Sequence, residues 1–211
     1  FLTTPYALRP TPYALRPTPY ALRPGRSGSS RPPTPDSLPL SVALISHSDT
    51  GFHDTGWNHP EHVGRIRAIP RHLRNDAELF MALVHHESRH ATPDELALAH
   101  DPAYIAQVQA VVAQGGGRLD ADTVASEGSW NAATAGAGAV LDAVDMAFDG
   151  RAVRSFSAVR PPGHHALRGS AMGFCLFGNV ALGALYARQR HGAERVLVVD
   201  WDVHHGNGTQ D

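Results

Sequence analysis

The sequence predicts an α/β fold of three layers, in which helices cover both faces of a mostly parallel sheet. Short apolar segments alternate along the chain with longer segments of helical pattern, an order typical of parallel sheets with helices on their faces. The apolar segments are also continuous rather than alternating, as expected for strands buried on both faces. A chain of 211 residues with 42% hydrophobic residues is long enough for one such domain.

The strands of this sheet are predicted at four apolar segments: residues 40–47, 82–86, 155–159 and 195–199. Helices are predicted at five segments: residues 60–75 with a break near Pro70, 92–100, 101–117 where glycines stop the helix, 129–148 and 179–190. The second of these opens with "TPDE", which predicts a capping box with Thr92 as N-cap. The fourth is rich in alanine and also contains glycines, which we expect to pack closely against a neighbour.

The beginning of the chain has a different composition. The heptapeptide "TPYALRP" occurs three times in tandem over residues 4–24, and two prolines per repeat exclude a helix. Such a segment buries too little apolar surface to offset the entropy of ordering it. We therefore predict a disordered tail over residues 1–37 and a folded domain over 38–211. The alternative for the tail is a proline-rich ligand for a partner.

Composition excludes several classes of protein. A net charge of −2 gives no indication of nucleic acid or a membrane surface as partner. The single cysteine, Cys175, excludes a disulfide framework and a cysteine-rich zinc site. No apolar run approaches the roughly 18 residues needed to span a bilayer, and no signal peptide is visible. The sequence thus predicts a cytoplasmic protein, and since its first residue is Phe1 we expect the natural chain to begin earlier.

The first group of candidate functional residues follows the last predicted strand, in "RVLVVDWDVHHGNGTQD". Side chains at every second position of a strand share a face, so Asp200, Asp202 and His204 are expected on the same side. Ligands of α/β sheets bind beyond the carboxyl ends of the strands. An aspartate and a histidine there can ligate zinc or a similar divalent ion. The alternative is a hydrogen-bonded turn in which the acids cap a helix.

The second group lies in "VRPPGHHALRGSAMGFCLFGN", after the predicted strand at 155–159. His164 and His165 follow a rigid Pro-Pro-Gly turn. Adjacent histidines diverge and so suit two proton-transfer groups better than two ligands of one ion. Asp200 is a natural partner to orient one ring, and Asn207 the other. The alternative is a pair of exposed loop histidines without function.

These motifs together resemble the zinc-dependent histone deacetylase family. "RPPGHHA", "MGFCLFGNVA" and "VDWDVHHGNGTQ" occur in the family's order and spacing, and the last is similar to the class II branch and its bacterial amidohydrolase relatives. "HPEHVGRI" at 59–66 and "LDADTVASEG" at 119–128 add weaker support. The resemblance covers about residues 41–211 and implies the arginase/deacetylase-like form of the α/β fold.

The resemblance also implies roles for individual residues. Zinc is bound by Asp202, His204 and a later aspartate, and potassium lies near Asp200, Asp202 and His204. The paired active-site histidines are His164 and His165, with Asp200 and Asn207 behind them. The remaining matches concern the substrate: Gly173 and Phe174 on the channel wall, Asp122 at the rim and Arg65 near the internal pocket through which acetate leaves.

The implied activity is zinc-dependent removal of acetyl or other acyl groups from lysine side chains. The alternatives are an acetylpolyamine amidohydrolase and an inactive module that binds acyl-lysine or a partner. Two departures from the family pattern are Gly178 in place of asparagine and Val63 in place of proline. In the family the third zinc ligand and a catalytic tyrosine lie further along than Asp211, so we expect this chain to be the N-terminal part of a deacetylase domain and to be inactive alone.

Overall fold

The computed structural model describes residues 41–211, so the predicted disordered tail lies outside the described residues. In these residues five strands and seven α-helices follow one another, with a short 3-10 turn at Ser48–Gly51 after the first strand. The strands are β1 (Val42–Ser46), β2 (Val84–Glu87), β3 (Gly116–Arg118), β4 (Val124–Ser126) and β5 (Arg154–Ser157). The helices are α1 (Gly64–Leu73), α2 (Ala77–Ala82), α3 (Pro93–Leu96), α4 (Pro102–Ala113), α5 (Ser129–Asp149), α6 (Asn179–His191) and α7 (Asn207–Gln210).

The sheet that positions the candidate site is parallel, with the strand order β2-β1-β5. Ala43 and Ile45 of the central strand β1 are buried against Ala139 and Met146 of α5. Leu44 points the other way and lines an apolar groove with residues of α1 and α2. Helices thus lie on both faces of a parallel sheet, and the predicted α/β fold class is confirmed.

A second and larger core lies between the helices. Its fully buried side chains include Leu96 of α3, Val108 of α4, Leu141 of α5 and Leu182 of α6. Phe177, in the segment just before α6, joins the same cluster. This core fixes the segment between residues 166 and 178, which carries part of the candidate site.

Two local predictions are confirmed at the helices. At α3 the Thr92 side chain accepts from the Glu95 N–H at 3.2 Å, and the Glu95 carboxylate accepts from the Thr92 N–H at 2.8 Å. In α5 a Cβ at Gly138 would overlap the carbonyl oxygen of Arg89. Glycine is required there because the chain leading from β2 to α3 crosses α5 at backbone contact.

Two sequence predictions need correction, and one hairpin was not predicted. No strand forms at 195–199, where Leu197 is 86% and Val199 66% exposed. The apolar pattern indicates burial on both faces, but among residues 41–211 no strand pairs with this segment. The helix α1 continues through Pro70 instead of breaking there, and the Pro70 carbonyl accepts from the Arg74 N–H at 3.1 Å. The antiparallel hairpin of β3 and β4 was not expected, since both strands have only three residues.

Candidate active site

The two histidine-rich motifs meet at one place in the fold. His164 and His165 lie in the loop that follows β5. The backbone N–H groups of Gly208 and Thr209, at the start of α7, donate to the His164 carbonyl at 2.9 and 3.2 Å. Gly208 is needed for this approach, because a Cβ there would overlap the Ala166 carbonyl oxygen. Residues 44 and 45 positions apart in the chain are therefore fixed against one another through their backbones.

Each of the paired histidines is held by its own polar partner. His164 Nδ1 lies 2.9 Å from Asp200 Oδ2, and His165 Nδ1 lies 2.6 Å from Asn207 Oδ1. Both partner atoms are acceptors, so each Nδ1 carries a hydrogen and each neutral ring keeps a lone pair on Nε2. The ring centroids are 4.0 Å apart. Two imidazoles thus present free Nε2 atoms side by side, an arrangement suited to proton transfer.

Asp200 and Asp202 are both held in the ionised state. The hydrogen bond from the His164 ring, followed by the Asp202 backbone N–H, lowers the pKa of Asp200. The pKa of Asp202 is lowered by the backbone N–H of His204 and then by the His204 ring. Both effects arise because the hydrogen bonds stabilise the carboxylate form. Asp200 is therefore negatively charged when it contacts His164.

Asp202 and His204 form a pair of potential metal ligands. Asp202 Oδ2 lies 2.9 Å from His204 Nδ1, a hydrogen bond that a zinc ion would replace if both atoms ligated it. The donor types fit zinc, but a catalytic zinc site needs three protein ligands. Within residues 41–211, the three-residue group with converging ligand atoms lies elsewhere, at His47, Asp49 and His90. Asp202 and His204 thus provide two thirds of a ligand set.

The predicted channel residues lie beside His165. Gly173 has a φ of +55°, and a Cβ on it would overlap the His165 ring. Phe174 also has positive φ, at +68°, a conformation that costs a residue with a side chain about 1–3 kcal/mol. The Phe174 N–H donates to the buried Thr123 hydroxyl at 3.0 Å, and its ring meets His59 edge-on at 4.7 Å. These contacts fix Phe174 next to the catalytic candidates.

Asp122 lies close to this wall, and Arg65 lies further out. The backbone carbonyl of Asp122 lies 3.4 Å from His59 Nε2. The Asp122 carboxylate accepts a hydrogen bond from the Thr123 hydroxyl at 3.2 Å. Asp122 is thereby placed beside Phe174, in the β3–β4 connection. The Arg65 side chain is 62% exposed on α1 and pairs with Glu61 at 3.8 Å. The buried arginine of this region is Arg160, which sequence reasoning did not single out.

Arg160 belongs to a buried network that holds the histidine loop. Its guanidinium contacts both carboxylate oxygens of Glu61, at 2.7–3.2 Å, and donates to the carbonyls of Thr50, His53 and Glu61. Arg160 and Glu61 are each 2% exposed. The sequence signals were an arginine just before "PPGHH" and a glutamate in "HPE", but neither indicates the other as its partner.

His53 completes this network in its neutral form. Its Nδ1 lies 2.7 Å from the Ser129 hydroxyl at the start of α5, and the side chain is buried. Burial, and next the positive charge of Arg160, lower the pKa of His53 to about 3. The imidazole therefore stays uncharged, and the segment from residue 47 to residue 61 is bound to α5 without a further ion pair.

Comparison with known proteins agrees with this geometry. The family model described as "Histone deacetylase domain" matches residues 59–211. The chain is 40% identical over 173 residues to the uncharacterized protein slr0245 of Synechocystis, covering 80% of this chain and 56% of that protein. It is 38% identical over 181 residues to human polyamine deacetylase HDAC10, covering 81% of this chain and 27% of that protein. Among solved structures, the HDA15 HD domain superposes with a TM-score of 0.76 at 38% identity, covering 81% of this chain and 49% of that one.

The chain covers only part of the length of each of these relatives. It spans about half of slr0245 and of the HDA15 domain, and about a quarter of HDAC10. Among the described residues no helix combines the length and the apolar composition needed to cross a bilayer.

Proposed function

The chain belongs to the histone deacetylase family, and from this premise we propose that it carries the proton-transfer half of a zinc-dependent amidohydrolase site. The observation that carries the proposal is the pair His164 and His165, each with Nδ1 bonded to an acceptor. The pair lies beside the potential metal ligands Asp202 and His204: His164 Nε2 is 4.0 Å from Asp202 Oδ2. The reaction is hydrolysis of an acetyl or other acyl amide.

The two histidines would divide the proton transfers between them. A free Nε2 on one ring accepts the proton of the attacking water, and a protonated Nε2 on the other gives a proton to the departing amine. The charge of Asp200 balances a proton held by His164, while the neutral amide of Asn207 only orients His165. His165 is thus the better candidate for the accepting group, because its partner adds no negative charge that would hold a proton on the ring.

Asp202 and His204 would hold the zinc ion. A bound zinc ion supplies Lewis-acid chemistry, which polarises the amide carbonyl and makes a water molecule more acidic. We further propose that the third ligand and a catalytic tyrosine come from residues outside 41–211, and that the described part is inactive without them. Potassium near Asp200, Asp202 and His204, and a cytoplasmic location, stay predictions of the sequence.

The substrate class follows from the wall at Phe174. An aromatic ring fixed beside the paired histidines suits a thin aliphatic stem, and both acetyl-lysine and an acetylated polyamine have one. Relatives named as histone and polyamine deacetylases support the same two classes. Asp122, next to this wall, would accept backbone N–H groups of a peptide or an ammonium group of a polyamine. An inactive module that binds acyl-lysine or a partner is the remaining alternative.

The proposal is tested by steady-state kinetics of the complete natural protein loaded with zinc, with an acetyl-lysine peptide and acetylspermidine as parallel substrates. His165→Ala should lower kcat/KM at least about a hundredfold, the usual scale for loss of general acid–base catalysis. His72→Ala is the matched control, since His72 is an exposed histidine in the last turn of α1. Near-normal turnover in His165→Ala would exclude the two-histidine mechanism. Binding of the peptide without any turnover would favour the inactive module.

A further inference from the structure

A second cluster of potential metal ligands lies away from the candidate active site. It consists of His47 at the end of β1, Asp49 in the 3-10 turn and His90 in the segment between β2 and α3. One ligand atom of each residue lies within 4.8 Å of those of the other two. The imidazole rings meet edge-to-face, with centroids 4.7 Å apart. We propose that these three residues bind a divalent transition-metal ion, a site that is separate from Asp202 and His204 and independent of the deacetylase proposal.

The protonation pattern at His90 favours a cation. Its Nδ1 lies 2.9 Å from the Thr134 hydroxyl, which has its single proton directed to one of two α5 carbonyls, those of Trp130 and Asn131 at 2.9 and 3.1 Å. When the hydroxyl proton is donated to α5, the hydroxyl oxygen accepts a hydrogen from Nδ1, and the neutral ring then has its lone pair on Nε2. That Nε2 lies 3.3 Å from Asp49 Oδ2. A metal cation between these two atoms would remove their mutual repulsion, as a proton on Nε2 would, and the metal-binding test below distinguishes the two.

His47 is the third potential ligand, and ligation through its Nδ1 would replace a hydrogen bond that this nitrogen now accepts. Its Nδ1 accepts from the Asp49 backbone N–H at 3.1 Å, so this nitrogen is unprotonated, and it lies 3.9 Å from Asp49 Oδ2. Zinc ligands are spaced about 3.3 Å apart at ideal bond lengths, so small rotations of the three side chains would bring them onto one ion. Two imidazoles and one carboxylate select zinc and its neighbours in the first transition row over calcium and magnesium.

The surroundings of Asp49 provide an approach for a cation. Asp49 lines a cavity together with Asp54 and Glu127, and this cavity has no basic residue among its lining. Arg67 and Arg74 line a different cavity, on the side of His47. A cation is therefore attracted from the side of the three carboxylates. The ligands are accessible from solvent, since the His90 side chain is 41% and the Asp49 side chain 22% exposed.

The hydrogen bond behind His90 resembles those that orient the ligands of known metal sites. A ligating histidine usually donates its second ring N–H to an oxygen that fixes the ring, and loss of such a partner typically weakens metal binding about 10- to 100-fold. Thr134 has this position behind His90. The site would join the end of β1, the 3-10 turn and the chain after β2, and so stabilise the beginning of the segment that runs to Glu61.

The test uses Co²⁺ as the probe, because its visible absorption reports tetrahedral coordination and its equivalents can be counted. The candidate catalytic ligands are removed first, with Asp202→Asn and His204→Gln combined in one variant of the chain. This variant should still bind one equivalent of Co²⁺ and should gain thermal stability from it. Adding His90→Gln should abolish the equivalent, and adding Thr134→Val should weaken it about 10- to 100-fold.

Two controls distinguish binding at this specific site from non-specific binding of Co²⁺ by a chain with 14 histidines. His72→Gln, at an exposed histidine on α1, should leave the equivalent unchanged. Asp49→Asn keeps the size of the side chain and should abolish the bound equivalent of Co²⁺. This variant tests the site independently if His90→Gln impairs folding. The proposal is overturned if the Asp202/His204 variant binds no Co²⁺, or if binding persists in both Asp49→Asn and His90→Gln.

Discussion

Removal of the Arg160 side chain should destabilise the protein more than its position in a loop suggests. Arg160 pairs with Glu61, and both side chains are almost completely buried, at 3% and 2% exposure. Breaking a buried ion pair from one side usually costs about 3–5 kcal/mol, because the other charge stays buried without compensation. Arg160→Met leaves Glu61 with Arg65 as its other basic partner, at 3.8 Å and with a side chain that is 62% exposed, so most of the compensation is lost. It also leaves the carbonyls of Thr50 and His53 without their donor, which adds to the cost.

The assay is urea unfolding at pH 7.5, with the free energy extrapolated to water. We expect Arg160→Met to lose at least about 3 kcal/mol, a large share of the roughly 5–15 kcal/mol of a typical domain. The control is Arg151→Met, since Arg151 is half exposed and pairs with Asp149 at 3.3 Å. Such a surface change should stay within about 0.5 kcal/mol.

A double-mutant cycle distinguishes the charge pair from the backbone contacts. In Glu61→Met combined with Arg160→Met neither charge remains, so the double variant should be less destabilised than the sum of the single variants, by about 0.5–3 kcal/mol. A residual loss should remain, because the carbonyls of Thr50 and His53 still lack a donor. A loss below about 1 kcal/mol in Arg160→Met would refute the reasoning, since an uncompensated buried carboxylate costs more than that.

Two further predictions concern His53 and Gly173. Because the folded state holds the pKa of His53 at about 3 against about 6.5 when unfolded, the contribution of His53 to stability is nearly constant above about pH 6.5 and falls as pH decreases toward 3, by about 2 kcal/mol at pH 5. Urea unfolding at pH 8 and pH 5 should show this difference, and an equal difference in His53→Gln would contradict it. In the complete natural protein, Gly173→Ala should reduce stability and turnover more than Gly192→Ala does. Gly192 has a similar φ of +70° but open space around it, whereas a Cβ at Gly173 meets the His165 ring; equal effects in unfolding and activity assays would show that the contact is unimportant.

The sequence predicted best those features that depend on neighbouring residues. The capping box of α3 lies within four residues, and the parallel sheet follows from the order of apolar and helical segments. The residue types predict that Asp200 orients one of the two adjacent histidines, and in the structure Asp200 lies 2.9 Å from His164 Nδ1. This contact does not depend on the predicted strand at 195–199, which does not form. Asp200, Asp202 and His204 are instead linked by two local bonds, from the Asp202 N–H to Asp200 and from the His204 N–H to Asp202, at 3.1 and 2.8 Å.

The side-chain contacts that sequence reasoning missed depend on distant residues. Arg160 reaches carbonyls about 110 positions earlier in the chain, and His90 meets Asp49 only because β1 and β2 are adjacent parallel strands. No spacing rule connects such residues. The strand predicted at 195–199 failed for the related reason that a strand needs a partner, which an apolar pattern does not provide.

The buried charge of Arg160 is explained by the irregular backbone around it. The segment from residue 47 to residue 61 has only one short turn of 3-10 helix, so several of its carbonyls have no partner within a helix or sheet. Buried carbonyls without a donor are costly, and an apolar side chain cannot supply one. A guanidinium offers five N–H groups in a fixed plane, and here it serves three carbonyls and one carboxylate. Arg160 comes directly before "PPGHH" in the chain. The hydrogen bonds that satisfy the carbonyls of the 47–61 segment therefore also fix the start of the loop that carries His164 and His165.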